Sequence, residues 1–161
     1  MDLLPDWMYH AIEESVTCEF VSVTANGTPV ALPVFLHHFD PDTGTLVFTS
    51  PVGVKRLENV RRHPQVAVLF FPTGAGGGEA RHVLLVQGRA EVDDSDPENA
   101  WKRYFAGWAR RQPNARETLP NIRQAMPGYV QRAIIRVRPS RFLGWPEGAI
   151  QQAPELVEVS Q

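Results

Sequence analysis

Hydroxyl and cationic side chains occur close together in the stretch from Thr49 to Pro64, TSPVGVKRLENVRRHP. Thr49 and Ser50 end an apolar run that is typical of a strand, and Lys55 and Arg56 follow within a few positions. A short helix is predicted to begin between the hydroxyl pair and the basic pair. The unpaired N–H groups of its first turn would lie near the hydroxyls and the cations, so all three kinds of group would surround one anion. The residue types therefore indicate a site for a phosphate group.

A purely structural interpretation of this stretch stays open on the residues alone. The hydroxyls could mark the end of a strand, and the cations could form a solvated helix face on which Glu58 pairs with Arg62. On the predicted helix, Lys55, Asn59 and Arg62 share one polar face in either interpretation.

The composition restricts the classes of protein to which the chain could belong. It has 161 residues, 43% of them hydrophobic, which suits one domain with a core of its own. Its net charge of −2 gives no global field for nucleic acid, and no apolar run reaches the ~18 residues that indicate a membrane span. One cysteine, Cys18, excludes an intrachain disulfide framework, and the N-terminus lacks signal-peptide features. We therefore expect a cytoplasmic protein that binds neither nucleic acid nor membrane.

Other reactive residue types have structural interpretations. Adjacent strand residues point to opposite faces, so His37 and His38 are not expected to share a metal ion. Cys18 lies within a predicted strand and is expected to be a buried thiol. The acids of 93–96 precede a predicted helix, whose free N–H groups they would cap. No catalytic residue and no metal ligand is assigned from these patterns.

The spacing of apolar residues predicts six strands with helices inserted between them. Asn26-Gly27 lies between two β-rich runs and predicts a hairpin. The glycine-rich run 74–78 is interpreted as a hairpin connection or a lid, and a helix with an aromatic face is predicted to begin at Asp96. A further helical segment is expected to break near Pro120. Because the strands pair sequentially without βαβ alternation, we expect a mainly β (α+β) fold, a six-stranded antiparallel split β-barrel with flanking helices.

The run LVFTSPVGVKRLENVRRHPQVAVLF resembles the signature of the pyridoxamine-5′-phosphate-oxidase-like, FMN-binding split-barrel superfamily. In that superfamily a strand ending in aromatic-Thr-polar precedes a basic pair, a short helix, a residue-Pro stop and an apolar strand. The second strand, GTPVALPVFLHHF, and the last, IIRVRPSRFLGW, also resemble their counterparts. The resemblance implies an FMN-binding split-barrel domain over residues 1–146, followed by a loose C-terminal tail over 147–161.

The resemblance also implies which residues bind FMN. The polar and cationic members, between Thr49 and Asn59, would hold the phosphate and the ribityl chain. The backbone at Pro33-Val34 would lie along the isoalloxazine ring, and Trp145 would close the pocket from the partner subunit of a homodimer. His82 is placed facing the flavin, although a plain surface position is equally open. The full set is Pro33, Val34, Phe48, Thr49, Ser50, Lys55, Arg56, Asn59, His82 and Trp145.

Three functions stay open on the sequence. The first is an FMN-dependent oxidoreductase, in which flavin N5 exchanges hydride with an unidentified small molecule and no protein nucleophile is needed. The second is a deazaflavin-dependent reductase, since 56–64 also resembles the basic-x-x-Asn-apolar-Arg-Arg-x-Pro run of that branch. The third is a protein that stores or senses flavin or haem without turnover. Vitamin B6 oxidation is not expected, because no arginine-rich segment follows Arg141.

Overall fold

The computed structural model describes residues 3–71, 82–112 and 114–159, so the glycine-rich run 74–78 lies outside the described residues. The strands are β1 (Cys18–Val23), β2 (Pro29–Val34), β3 (Leu36–Phe39), β4 (Leu46–Pro51), β5 (Gln65–Phe70), β6 (Val83–Asp93), β7 (Arg132–Trp145) and β8 (Glu155–Glu158). The helices are α1 (Asp6–Glu14), α2 (Lys55–Arg62), α3 (Phe105–Arg111) and α4 (Ala115–Ala125). Short 3₁₀ segments cover Ala100–Tyr104, Pro127–Val130 and Pro146–Gly148.

The described strands form one curled antiparallel sheet in the order β2-β1-β5-β6-β7-β4-β3, with β8 added to β7. The long strand β7 pairs with β6 along its length, with β4 near its start and with β8 near its end. A register shift in the pairing of β6 with β7 at Gly88 bends β6. This position needs a glycine, because a Cβ there would lie 2.2 Å from the Arg138 carbonyl oxygen. The fold is the split barrel of the mainly β (α+β) class that the sequence predicts.

An aromatic and aliphatic core fills the inside of the curled sheet. Successive residues of β1 alternate between buried and half-buried positions, as expected of a strand with one face on a core. Helix α1 packs on the same core through Met8, Ala11 and Ile12. The largest fully buried side chains on the strands include Phe20, Phe48, Phe70 and Phe142.

Two long-range features differ from the prediction. The predicted second strand is two strands, because the chain breaks at Phe35 and β3 leaves β1 to pair with β4. The predicted loose tail contains β8, whose residues pair with 141–144 of β7. Val157 of β8 packs against the core, so apolar contact and the free edge of β7 order this segment.

The helical segment after β6 also differs in detail. Asp96 accepts a hydrogen bond from the Asn99 amide at 3.2 Å, but a 3₁₀ segment precedes the α-helix. Helix α4 continues through Pro120, where a break was expected. Proline removes only one backbone hydrogen bond there, and contacts of α4 with α3 and with the 3₁₀ segment Pro127–Val130 support the helix. Within the described residues, no helix combines the length and the apolar character needed to span a bilayer.

Candidate functional site

Helix α2 presents its polar face to a groove beside the hairpin of β1 and β2. The helix is held on the barrel by Leu57 and Val60, which are buried. Asn59 donates from Nδ2 to Ser22 Oγ at 3.3 Å, which ties α2 to β1. The groove has a volume of about 380 Å³, and its lining includes Ser22, Leu32, Lys55, Arg56, Asn59 and Arg62. Its charged lining consists of three basic residues against one acid, Glu58, so the groove is cationic.

The two cations of the basic pair have different environments. Lys55 has an 85% exposed side chain, and its Nζ lies 2.9 Å from Glu58 Oε2, so Glu58 pairs with Lys55 rather than with Arg62. Arg56 is half-buried, and its guanidinium carbon lies 5.8 Å from the centroid of the Phe20 ring. Among the described residues, Arg56 has no carboxylate within ion-pair distance.

Burial and a like charge both act on Arg56. Burial lowers its pKa, and the positive charge of Arg132 lowers the pKa further. A half-buried cation without a counter-charge is destabilised, and an anion beside it would remove that penalty. The electrostatics of Arg56 are therefore those of an anion-binding residue.

Ser50 of β4 carries a hydroxyl that is unsatisfied among the described residues. The side chain is 1% exposed, and its Oγ has no hydrogen-bond partner among the described residues. Ser50 shares its face of the strand with Phe48, whose ring contacts Phe20 with a centroid separation of 5.6 Å. Arg56 lies over the same Phe20 ring, which places both residues near the contact between Phe20 and Phe48. Buried hydroxyls are nearly always hydrogen-bonded, so this pair fits a phosphate group supplied by a ligand.

Thr49 faces the other side of β4 and is engaged in a hydrogen-bonded chain. Its Oγ1 lies 2.7 Å from Arg132 Nε and 3.0 Å from His37 Nε2, and His37 Nδ1 lies 2.9 Å from the Phe35 carbonyl oxygen. An arginine can only donate, so Thr49 Oγ1 accepts from Arg132. The Phe35 carbonyl can only accept, so the single ring proton of neutral His37 is on Nδ1, and His37 Nε2 accepts from Thr49 Oγ1. The two hydroxyls therefore point apart, and their predicted convergence on one anion is not formed within the chain.

His37 is an uncharged member of this series of hydrogen bonds. It is 4% exposed, and burial lowers its pKa to about 4. Its ring stacks on Trp108 of α3 with a centroid separation of 5.9 Å and an interplanar angle of 6°. Helix α3 comes this close because residue 107 is glycine: a Cβ there would lie 2.2 Å from the His37 carbonyl oxygen.

The expectation that His37 and His38 face opposite sides of the sheet is wrong. A bulge between Leu36 and His38 adds a residue to β3, so both imidazoles face the aromatic helical segment. His38 stacks on Tyr104 with a centroid separation of 5.9 Å, next to the stack of His37. Among the described residues, no cluster of three His, Cys, Asp or Glu side chains is arranged to hold a metal.

Arg132 is a candidate functional residue that the sequence patterns did not single out. It is the first residue of β7 and lies over the Tyr129 ring, 4.7 Å from the centroid. Its Nη1 and Nη2 donate to the carbonyl oxygens of Tyr129 and Thr49 at 3.2 and 3.1 Å. Within the described part of the chain it has no carboxylate partner, and burial lowers its pKa. The only sequence signal is a cation that immediately precedes the apolar run AII.

The remaining residues that were predicted to bind FMN lie at the end of β2 and at the end of β7. Pro33 is exposed and Val34 is buried at the end of β2, directly before the Phe35 carbonyl that accepts from His37. Trp145 lies at the far end of the 14-residue β7 from Arg132, and its Nε1 donates to the Gln152 carbonyl oxygen at 3.0 Å. The fold of a single chain therefore does not bring Trp145 to the cationic groove.

His82 lies at the Trp145 end of the sheet. Its ring centroid is 5.2 Å from that of Trp7, and its Nδ1 accepts from the Glu147 amide at 3.3 Å. The neighbouring residue Val83 is paired with Trp145. The predicted site residues thus form one group around α2, β2 and β4 and a second group at the opposite end of β7.

Solved structures share this fold. A pyridoxamine 5′-phosphate oxidase-related, FMN-binding protein from Nostoc punctiforme PCC 73102 superposes with a TM-score of 0.61 at 12% identity, over 98% of each chain. A protein related to general stress protein 26, of the pyridoxinephosphate oxidase family, from Clostridium acetobutylicum gives 0.64 at 8% identity, over 94% of this chain and 91% of that one. A heme binding protein from Mycobacterium smegmatis gives 0.63 at 14% identity; 96% of this chain matches 59% of its length. At these identities the likeness concerns the fold.

The sequence itself supplies the evidence for the family. No curated protein matches it. A family model described as pyridoxamine 5′-phosphate oxidase, however, matches residues 5–146. This range begins just before α1 and ends just after β7, so it takes in the barrel, the cationic groove and Trp145. The chain therefore belongs to the pyridoxamine 5′-phosphate oxidase family.

Proposed function

We propose that the protein binds FMN and acts as a flavin-dependent oxidoreductase on a small molecule. The observation that carries the proposal is the combination of Arg56, a half-buried cation without a carboxylate partner, with the unpartnered buried hydroxyl of Ser50. A phosphate group would satisfy both. The family match and the fold shared with the FMN-binding Nostoc protein support a flavin as the carrier of that phosphate.

The chain's own residues would bind and orient the cofactor. Arg56 and Ser50 would hold the phosphate, with Lys55 and Asn59 at the groove beside them. The chain from Arg132 through Thr49 and His37 fixes the Phe35 carbonyl, next to the strand expected along the ring. Bound FMN supplies hydride transfer at N5, so no protein nucleophile is required.

We further propose that the protein is a homodimer with the flavin at the subunit interface. A row of four leucines crosses the outer face of the sheet through successive cross-strand pairs. Three are half-buried and the fourth is 51% exposed, although a solvated sheet face normally carries polar residues. The row consists of Leu69, Leu85, Leu143 and Leu156. Trp145 lies beside it on the same face, so a second copy seated on the row would bring Trp145 to another groove.

Deazaflavin-dependent reduction is the second candidate. Arg62 extends the cationic lining of the groove beyond the basic pair, which suits a cofactor with more negative charge than one phosphate. A cytoplasmic location completes the proposal, because a chain whose one cysteine is a free thiol suits a reducing compartment.

The test is an FMN titration of the purified protein, with riboflavin as the ligand that lacks the phosphate. We expect saturable uptake of one FMN per chain and much weaker uptake of riboflavin. Replacing Lys55 and Arg56 together by Ala should weaken FMN binding by about 2–5 kcal/mol, since charge-assisted contacts are lost. Arg138→Gln is the matched control, because that exposed cation pairs with Glu91 away from the groove.

The outcomes separate the candidates. Equal affinity for FMN and riboflavin, or an unchanged affinity of the double variant, would remove the phosphate assignment. Tight uptake of a deazaflavin in place of FMN would favour the second candidate. Anaerobic reduction of the bound flavin by a nicotinamide donor, followed by reoxidation on addition of an acceptor, would test catalysis itself.

A further inference from the structure

A second cavity lies among the helices that follow β6. It has a volume of about 530 Å³ and shares no lining residue with the groove beside α2. We call it the helical cavity. Its size falls within the roughly 300–1,000 Å³ of small-molecule sites. Its wall is largely apolar, with Trp101, Phe105, Leu119, Pro127 and Val130.

The rim of the helical cavity carries more positive than negative charge. Its charged lining consists of Lys102 and Arg123 against one acid, Glu98. Lys102 donates from Nζ to Asn99 Oδ1 at 2.8 Å, which is a neutral partner. None of the three charged groups has an ion-pair partner among the described residues. The excess cation favours an anionic ligand.

One residue of the cavity lining, Trp101, carries a buried hydrogen-bond donor that has no acceptor among the described residues. Trp101 is 5% exposed, and its Nε1 has no partner among the described residues. Behind this wall, a cavity of about 20 Å³ shares Trp101, Leu119 and Val130 with the helical cavity and also contacts Trp108 and Arg132. Trp108 Nε1 likewise has no partner in the described part of the chain. Buried donors without an acceptor are rare in native proteins, so the wall fits a ligand that brings an acceptor group.

We propose that the helical cavity binds a small carboxylic acid with an aromatic or branched apolar body, at a site separate from the flavin groove. The carboxylate accepts from Trp101 Nε1, and the body packs on Phe105 and Leu119. A phosphate ester fits less well, because a dianion would meet one excess cation at the rim and an apolar wall below it. The proposal does not depend on flavin binding.

Calorimetric titration with naphthalene-2-carboxylate tests the proposal, with naphthalene-2-carboxamide as its neutral counterpart. We expect saturable binding of one naphthoate per chain and at least tenfold weaker binding of the amide. Trp101→Phe keeps an aromatic ring and removes the N–H, so it should weaken naphthoate binding at least fivefold. Glu98→Gln should tighten binding a few-fold and Lys102→Gln should weaken it a few-fold. Arg138→Gln, a cation outside the cavity lining, should leave the affinity unchanged.

Three outcomes would overturn the proposal. The first is no saturable uptake of naphthoate by the unmodified protein, and the second is equal affinity for the acid and the amide. The third is competition between naphthoate and FMN, which would put both in one site. If Trp101→Phe fails to fold, Glu98→Gln and Lys102→Gln still test the proposal, since both residues are exposed. The two variants should change the naphthoate affinity in opposite directions only if an anion binds at this rim.

Discussion

Arg132 donates from Nε to the hydroxyl oxygen of Thr49 at 2.7 Å, which begins a chain of three hydrogen bonds. The Thr49 hydroxyl donates to His37 Nε2, 3.0 Å away, because the neutral ring carries its one proton on Nδ1, toward the Phe35 carbonyl. The chain ends on the Phe35 carbonyl, at the break between β2 and β3. Strands far apart in sequence are thereby locked together beside the backbone that is proposed to meet the flavin.

Removing the hydroxyl of Thr49 should destabilise the protein. In Thr49→Val, the buried Nε2 of His37 loses its donor and Arg132 Nε loses its acceptor, so we expect a loss of about 1–3 kcal/mol. Thr49→Ser keeps the hydroxyl and should lose far less. Urea unfolding followed by circular dichroism measures both. Equal stability of the valine and serine variants would show that the hydrogen bonds of the Thr49 hydroxyl add nothing to the free energy of unfolding.

His37 should make stability depend on pH. Its folded pKa of about 4 lies below the ordinary 6.5, so the unfolded chain binds more protons between these values. The contribution of neutral His37 to the free energy of unfolding is complete above about pH 6.5. It is lost as the pH falls toward 4, by up to about 3 kcal/mol. Unfolding free energies measured across this range should therefore fall more steeply for the unmodified protein than for His37→Gln. The exposed His38→Gln should keep the slope of the unmodified protein.

Arg56 should matter more than Lys55 for FMN binding. Lys55 is exposed and already paired with Glu58, whereas Arg56 is half-buried without a carboxylate partner among the described residues. We expect Arg56→Gln to weaken FMN binding by about 1.5–3 kcal/mol and Lys55→Gln by less than half of that. Ser50→Ala should weaken binding by about 1 kcal/mol without a loss of stability, since its hydroxyl has no partner in the described fold. The reverse order of the two cations in a fluorescence titration would contradict the assignment.

Gly107 should be intolerant of a side chain. A Cβ would lie 2.2 Å from the backbone carbonyl oxygen of His37, so Gly107→Ala must push α3 away from β3. The expected cost is about 1–3 kcal/mol, together with loss of the stack between His37 and Trp108. Gly128→Ala is the control, because nothing lies within 4 Å of its added Cβ. Thermal unfolding and near-ultraviolet circular dichroism measure the two effects.

The leucine row should control assembly. Leu85→Lys puts a charge in the middle of the row, so dimers that bury it should dissociate at least tenfold more readily. Met126→Lys is the matched control, since Met126 is 53% exposed and lies outside the row. Sedimentation velocity reports the distribution of species, and far-ultraviolet circular dichroism checks that the variant is folded. A dimer that is insensitive to Leu85→Lys would use another surface.

Local sequence was sufficient for the elements around α2. The hairpin predicted at Asn26-Gly27 forms, with Gly27 at φ +82°, although its loop between Val23 and Pro29 is longer than a two-residue turn. The predicted cationic helix forms as Lys55–Arg62 and ends before the breaking residue Pro64, although Val54 at its start makes no side-chain cap. Lys55, Asn59 and Arg62 line the groove on the face that helical spacing assigns to them. Each of these features depends on residues within a few positions of one another.

Only the tertiary structure decided what the polar groups do. The bulge in β3 turned two adjacent histidines to one side, and it depends on pairing with β4. Thr49 became committed to Arg132, a residue 83 positions away, and β8 formed because the edge of β7 was free to receive it. The sequence by itself determined which residue types and which local elements this protein has. Strand register and long-range pairing determined which of those side chains meet, because a shift of one residue moves a side chain to the other face of the sheet.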